Sequence, residues 1–322
     1  MIKYSVITPV YNRAGCIKRC LESVTRNVGC RDDVEHIVVD DGSSDSTPAI
    51  IKEYSERYSH VQRILFPHNR GTNAARNSAI AAAKGHFCII LDSDDYWDEK
   101  ALTIIDDTVS RHPEIRHFCF APDDMQESYD KNPLLAGKSE RHISFEDFLL
   151  GRVSGDFVHV MSMDIVKRHP FDENLRIYEG VFFLSFYKEA KSILFINKVV
   201  SHRERGRRDS VTREMIRTNK KSIIRTIKAN ELFIDRYAND LIKSEEGKIT
   251  LYNSQLALLD NYLLVGDYKK TKKLIDEMKQ NCQFTLFSIF KYIYKMRLGW
   301  LYYLLLNLYL RIKYDLLLVK WK

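Results

Sequence analysis

Over the first 95 residues short apolar runs alternate with helical stretches, and no other feature constrains the fold as tightly. Residues 4–8 are β-rich and closed by Pro9, which cannot continue a ladder in a central strand. Asn12 precedes a helical pattern carrying Ile17, Leu21 and Val24, running to about residue 28. Residues 36–39 form a second buried strand that ends in Asp40-Asp41-Gly42-Ser43-Ser44-Asp45, and the next helix carries Ile50, Ile51 and Tyr54. A third strand, 63–66, ends at Pro67 and leads through Asn69-Arg70-Gly71 to an Ala-rich helix over 73–84, stopped by Gly85. The fourth, 87–91, breaks into Asp92-Ser93-Asp94-Asp95.

Short connections in such an alternation mean an α/β fold, a mostly parallel sheet flanked by helices on both faces. Crossovers of one hand bring the strand ends to one edge, and ligands of open α/β sheets bind outside the carboxyl ends. Here that edge carries Pro9-Val10-Tyr11-Asn12, Asp40-Asp41-Gly42 and Asp92-Ser93-Asp94. The Gly-rich dinucleotide fingerprint is missing after the first strand, and so is a phosphate loop with Gly-Lys-Ser. That argues against a dehydrogenase or a P-loop enzyme.

Asp92, Asp94 and Asp95 crowd three carboxylates into four positions, where like charges raise one another's pKa. A hard divalent cation relieves the repulsion, and Mn2+ or Mg2+ suits carboxylates that also face substrate phosphates. The competing reading is a polar turn after a strand, where Asp and Ser are common for local hydrogen-bonding reasons.

Val6-Ile7-Thr8-Pro9-Val10-Tyr11-Asn12, Val38-Val39-Asp40-Asp41-Gly42-Ser43-Ser44-Asp45, Gly71-Thr72-Asn73-Ala74-Ala75-Arg76-Asn77 and Leu91-Asp92-Ser93-Asp94-Asp95 follow in order. Together they resemble family 2 glycosyltransferases of the GT-A fold. The resemblance implies a Rossmann-like mixed sheet and an inverting, metal-assisted transferase that uses a nucleotide sugar. By the same resemblance Pro9 and Tyr11 flank the base, with Tyr11 offering a stacking face, and Asp40 or Asp41 accepts a hydrogen bond from the base edge of a uridine donor. Arg76 lies near the base or phosphates. Asp92, with Ser93 beside it, approaches the ribose and the metal, and Asp94 is the principal metal ligand, joined by Asp95. Taken singly, Tyr11 and Arg76 read equally well as surface residues.

Beyond residue 95, a helix is expected over 97–111, strands over 115–121, 157–163 and 193–200, and a polar loop over 123–140. Inverting transfer needs a base to take the acceptor's hydroxyl proton. In the resembled family it belongs to an acidic pair opening a helix. Here Glu179-Gly180 stands in that place, making Glu179 the candidate base with Asp156 and Asp172 in reserve. Glu179 also suits a helix N-terminus on electrostatic grounds alone. His202-Arg203-Glu204-Arg205-Gly206-Arg207-Arg208 is a basic loop able to close over a diphosphate, with Arg205 and Arg207 favoured for the leaving group and His202 for the metal shell or the diphosphate. The alternative is a solvated charged loop.

From about residue 215 the pattern is helical, giving an expected catalytic domain over 1–214 and a helical region over 215–322. The net charge of +7 is uneven: residues 215–322 hold 20 Lys/Arg against 10 Asp/Glu, leaving 30 against 33 for the rest. Residues 284–322 are rich in Phe, Tyr, Leu and Trp, interrupted by Lys and Arg. Their longest apolar run, 300–306, is far short of the roughly 20 residues of a spanning helix. A basic aromatic tail suits a bilayer interface, or else packs on the enzyme or on a second copy. No nucleic-acid recognition module is present in the sequence. Six scattered cysteines without paired zinc spacing read as reduced, cytosolic usage, and no leader precedes the first strand. The expectation is a transferase on the cytoplasmic face of the inner membrane, moving a sugar from a UDP-sugar to a lipid-linked glycan in surface polysaccharide assembly, such as capsule or lipopolysaccharide. Rival readings are a soluble or protein acceptor with the tail used for homo-oligomerisation, and a non-catalytic nucleotide-sugar binder.

Overall fold

The computed structural model describes residues 1–175, 178–204, 220–281 and 288–311. The chain divides into two compact units, Met1–Arg207 and Arg208–Lys322.

The first unit runs β1 Tyr4–Val10, α1 Ile17–Val28, β2 Val34–Asp40, α2 Thr47–Arg57, β3 Val61–Leu65, α3 Thr72–Ala82 and β4 Phe87–Ile90. It continues β5 Tyr96–Trp97, α4 Ala101–Arg111, β6 His117–Pro122, α5 Gln126–Asp130, β7 Glu140–Ile143, α6 Phe145–Leu149, β8 Val158–Ser162, α7 Met163–Arg168, α8 Gly180–Ala190 and β9 Ile193–His202. Nine strands make one mixed sheet in the order β3-β2-β1-β4-β8-β6-β9-β5, with β7 pairing β9. β1, β2, β3 and β4 are parallel, as the alternation requires, while β8 runs antiparallel between β4 and β6. Alternate side chains of each strand feed opposite faces. Tyr4 and Val6 pack with Ile17, Leu21 and Ile105 on one face, and Ile7 packs with Ala75, Ala79 and Phe186 on the other. Each such aliphatic side chain, fully buried, contributes about 1.5–3 kcal/mol over exposure.

Pro9 does not close β1. The strand continues to Val10, because the β4 ladder has already ended at Ile7. Ile7 O accepts from Leu91 N, so odd-numbered residues face β4, and the N–H that Pro9 lacks points where no partner strand remains. Tyr96–Trp97 pairs with the end of β9 instead of opening a helix: Trp97 is buried and its N–H donates to Ser23 Oγ at 3.0 Å. The expected polar loop over 123–140 contains α5, whose Tyr129 is buried and stacked on Phe157 with centroids 5.0 Å apart.

The second unit holds α9 Lys220–Leu241, α10 Glu245–Val265, α11 Tyr268–Asn281, α12 Ser288–Lys295 and α13 Gly299–Arg311 around one apolar core. α10 ends on Gly266, whose φ of 75° suits the left-handed cap of a helix. No described helix is long and apolar enough to cross a membrane.

Candidate active site

The carboxyl ends of β1, β2 and β4 lie side by side, and the loops beyond them are tied together. Asn12, at φ 50°, donates its N–H to Ser43 Oγ at 2.8 Å, and its Oδ1 accepts from Ser44 N at 2.8 Å. The small polar side chain of Asn tolerates that left-handed backbone. Gly42 is obligatory in the same loop: at φ 74°, a Cβ there would lie 2.5 Å from the His68 carbonyl carbon. Of the two expected base acceptors, Asp41 spends both oxygens on the backbone, accepting from Arg70 N at 2.6 Å and Gly71 N at 2.8 Å, and so fixes the entry to α3. Asp40 is buried and accepts from Ser43 N at 3.2 Å on Oδ1. Pro9 is buried in the strand, and Tyr11 stands 44% exposed where the strand leaves the sheet.

Arg76 on α3 gathers the next group. Its Nη1 donates to Glu179 Oε1 at 3.0 Å and its Nη2 to Asp92 Oδ1 at 3.1 Å, while the guanidinium lies over the Phe171 ring. Burial opposes the charge, but Asp92 and Glu179 outweigh it and hold the guanidinium above its ordinary value. α3 also pins the segment that leads to Glu179: Asn73 Nδ2 donates to Asp172 O at 2.9 Å, and Asn77 Nδ2 to Phe171 O at 2.9 Å. Glu179 is the N-cap residue of α8, yet its side chain makes no capping bond and reaches Arg76 instead.

The three acidic residues share one turn, closed by Asp95 N donating to Asp92 O at 3.0 Å. Ser93 is buried between them. Burial first, then the charges of Asp92 and Asp94, push the Asp95 carboxyl up to about 8, while Arg203 pulls it back. Three hard oxygen donors under that electrostatic load fit a divalent cation such as Mn2+ or Mg2+.

The neighbouring strand end adds Arg19, which the sequence does not single out, to groups read from the basic loop. Arg19 Nη2 donates to Asp94 O at 3.2 Å and Glu204 Oε2 at 2.8 Å, with its guanidinium 4.4 Å from the Tyr96 ring centroid. Arg203 pairs with Asp124 and with Asp156, its Nη1 lying 2.9 Å from Asp156 Oδ2. Both ring nitrogens of His202 meet carboxylates, Nδ1 at Asp123 and Nε2 at Asp98, each at 3.1 Å. His202 therefore adjoins the acidic turn through its stack on Tyr96, centroids 5.0 Å apart, and not through a ring nitrogen. Asp172 Oδ1 accepts from Asn174 N at 2.8 Å. Arg205 and Arg207 lie outside the described residues. Arg19 carries no local signal and reads as a surface cation until β5 and β9 bring its partners to the edge; Arg203 is legible as part of the basic loop, but its pairing with Asp124 and Asp156 is not.

Residues 5–163 match the profile of glycosyl transferase family 2. A GalNAc(5)-diNAcBac-PP-undecaprenol beta-1,3-glucosyltransferase from Campylobacter jejuni is 28% identical over 217 residues, 66% of this chain and 68% of its own. Other curated relatives match over shorter stretches, three of them over about a third of this chain and only 16–36% of their own lengths. Among solved structures, TarS 1-349 from S. aureus in complex with UDP-GlcNAc superposes with TM-score 0.61 at 17% identity, covering 81% of this chain and 73% of that one. The mannosyltransferase PcManGT from Pyrobaculum calidifontis, in complex with GDP-Man and Mn2+, gives TM-score 0.56 at 16% identity, covering 95% and 87%. At these identities the superpositions carry the fold, a GT-A architecture with a C-terminal helical region.

Proposed function

Residues 5–163 form a family 2 glycosyltransferase domain, and on that premise we propose that the chain moves a sugar from UDP to a lipid-linked glycan, inverting the anomeric carbon. One observation carries the reading: Arg76 joins Glu179, at the head of α8, to Asp92 in the acidic turn. A proton acceptor and a cation-binding turn thereby face one space at the carboxyl edge of the sheet. Tyr11 stacks on the base, and Asp40 accepts from the base edge. Asp94 holds the cation with Asp92 and Asp95, and the ion when bound neutralises the departing diphosphate. Glu179, oriented by Arg76, takes the acceptor's hydroxyl proton as that oxygen attacks. Arg205 and Arg207 supply cations suited to the diphosphate, and His202, which precedes them in the chain, bridges Asp98 and Asp123. The undecaprenol-linked acceptor named for the C. jejuni relative supports a lipid-borne acceptor here.

Thermal stability of the full chain tests the donor. UDP with Mn2+ is expected to raise Tm, and GDP with Mn2+ to leave it unchanged, since a ligand confined to the native state stabilises it. Among UDP-hexoses, one is expected to release UDP when metal is present. Stabilisation by GDP alone overturns the donor assignment, and nucleotide binding without any turnover overturns the enzymatic one.

The acceptor proposal extends to the second unit. Tyr302, Tyr303 and Leu306 of α13 pack into the helical core, while Trp300, Leu304, Leu305, Leu308 and Tyr309 are 54–67% exposed on the other side. Lys295 and Arg297 precede this apolar face, and Arg311, Lys313 and Lys320 follow it in sequence. Apolar side chains flanked by cations suit the surface of an anionic bilayer, the cytoplasmic leaflet. The full chain is expected to float with phosphatidylglycerol vesicles and not with phosphatidylcholine ones, and L304E/L308E is expected to stay in solution with unchanged Tm. A wild-type dimer that the double variant splits, without vesicle binding, would assign the face to a second copy instead.

A further inference from the structure

We propose that His117, Cys119 and His159 form a second metal site, buried in the sheet, that takes a borderline-soft divalent ion such as Zn2+. His117 and Cys119 are two apart on β6 and so share a face, and the antiparallel register sets His159 of β8 directly opposite Cys119. His117 Nε2 lies 3.0 Å from His159 Nδ1, and Cys119 Sγ lies 3.7 Å from His117 Nε2 and 3.6 Å from His159 Nδ1. Bonds of about 2.0–2.1 Å to nitrogen and 2.3 Å to sulfur at tetrahedral angles would set those edges at about 3.3–3.4 Å and 3.5–3.6 Å. The three donor atoms thus already outline one face of a zinc tetrahedron, needing the N···N edge to open by about 0.3–0.4 Å and the S···N edges to shorten by about 0.1 Å.

The surroundings fit the same ion. Phe186 meets the His117 ring edge-on at 4.8 Å, and Phe183 stacks on His159 at 4.1 Å, so that aromatic rings screen the cluster. The two ligand nitrogens share one proton across their 3.0 Å contact, and a metal entering between them moves that proton to the far nitrogen of one ring. Cysteine ligates as thiolate, so a metal bound here displaces the Cys119 thiol proton: Cys–SH + M2+ gives Cys–S–M+ and H+. Thiolate with imidazole selects zinc over Mn2+ or Mg2+, whereas the carboxylates around Asp94 favour the reverse. Three protein ligands leave a fourth position for water, and the partly exposed His159 offers the way in.

Cobalt(II) reports on such a site directly. The full chain, stripped with chelator and kept reduced, is expected to bind one Co2+ with thiolate-to-cobalt charge-transfer absorption and tetrahedral d–d bands, to release one proton, and to lose both bands on adding Zn2+. C119S is expected to lose the charge-transfer band and to weaken Co2+ by more than the roughly 10–100-fold that loss of an outer-shell partner costs. D94N is expected to keep the band. Should C119S fail to fold, H159F, which preserves an aromatic ring against Phe183, is expected to show the same loss of Co2+ affinity. Only weak octahedral bands in the wild type, or a charge-transfer band that survives in C119S, would overturn the proposal.

Discussion

E179Q is expected to slow UDP release by ~10²–10⁴-fold, the range that removal of a positioned general base costs. The substitution is close to a pure test. Gln keeps the length of Glu and can still accept from Arg76 Nη1, which retains its second partner, Asp92. A charge-assisted bond becomes a neutral one, costing about 1 kcal/mol, or roughly 2–4 °C in Tm for a domain of this size. Stabilisation by UDP and Mn2+ should persist, because the nucleotide meets other residues. The two reserve carboxylates are placed differently: Asp156 is largely exposed and paired with Arg203, and Asp172 caps its own turn through Asn174. If E179Q turns over like wild type while D156N or D172N does not, the base has been misassigned.

The parts legible in the sequence are those whose signal is contiguous. Each of β1, β2 and β4 delivers its polar end within a few residues of its apolar run, so the edge and the acidic turn can be read without knowing the sheet order. Arg76 was legible as a member of a motif, but its bridge to Glu179 was not, because it depends on how α3 packs on the segment before α8, 103 residues away. The same limit hid Arg19 and the partners of Arg203, which arrive from other elements. Pro9 misled for a different reason: the rule against proline in a central strand concerns a missing donor, and here that donor faces a strand that has already ended. The histidine–cysteine cluster shows the limit most sharply. Its spacing in sequence matches no metal motif, since one strand supplies two ligands and strand register supplies the third.

D94N is expected to cut UDP release by ~10²–10³-fold, comparable to deleting one preorganised electrostatic contact to a developing charge. It is also expected to abolish the Mn2+-dependent part of the stabilisation by UDP. Asp94 is a cleaner probe than its neighbours. D92N would loosen Arg76 together with any cation, because Asp92 Oδ1 is one of the two carboxylate contacts of that guanidinium. D95N would neutralise the carboxyl that burial and the charges of Asp92 and Asp94 push up to about 8, so it would relieve that strain as well as remove an oxygen donor. The Asp94 side chain pairs with Arg13 at 4.0 Å, a contact a neutral amide can still make, and its backbone oxygen, which accepts from Arg19, is untouched by the change. The change replaces one hard oxygen donor by a neutral amide and leaves the Arg76–Asp92 bridge in place. If D94N keeps wild-type turnover and wild-type Mn2+ dependence, the cation is held elsewhere. The acidic turn would then be what its local chemistry alone allows, a polar bend after a buried strand.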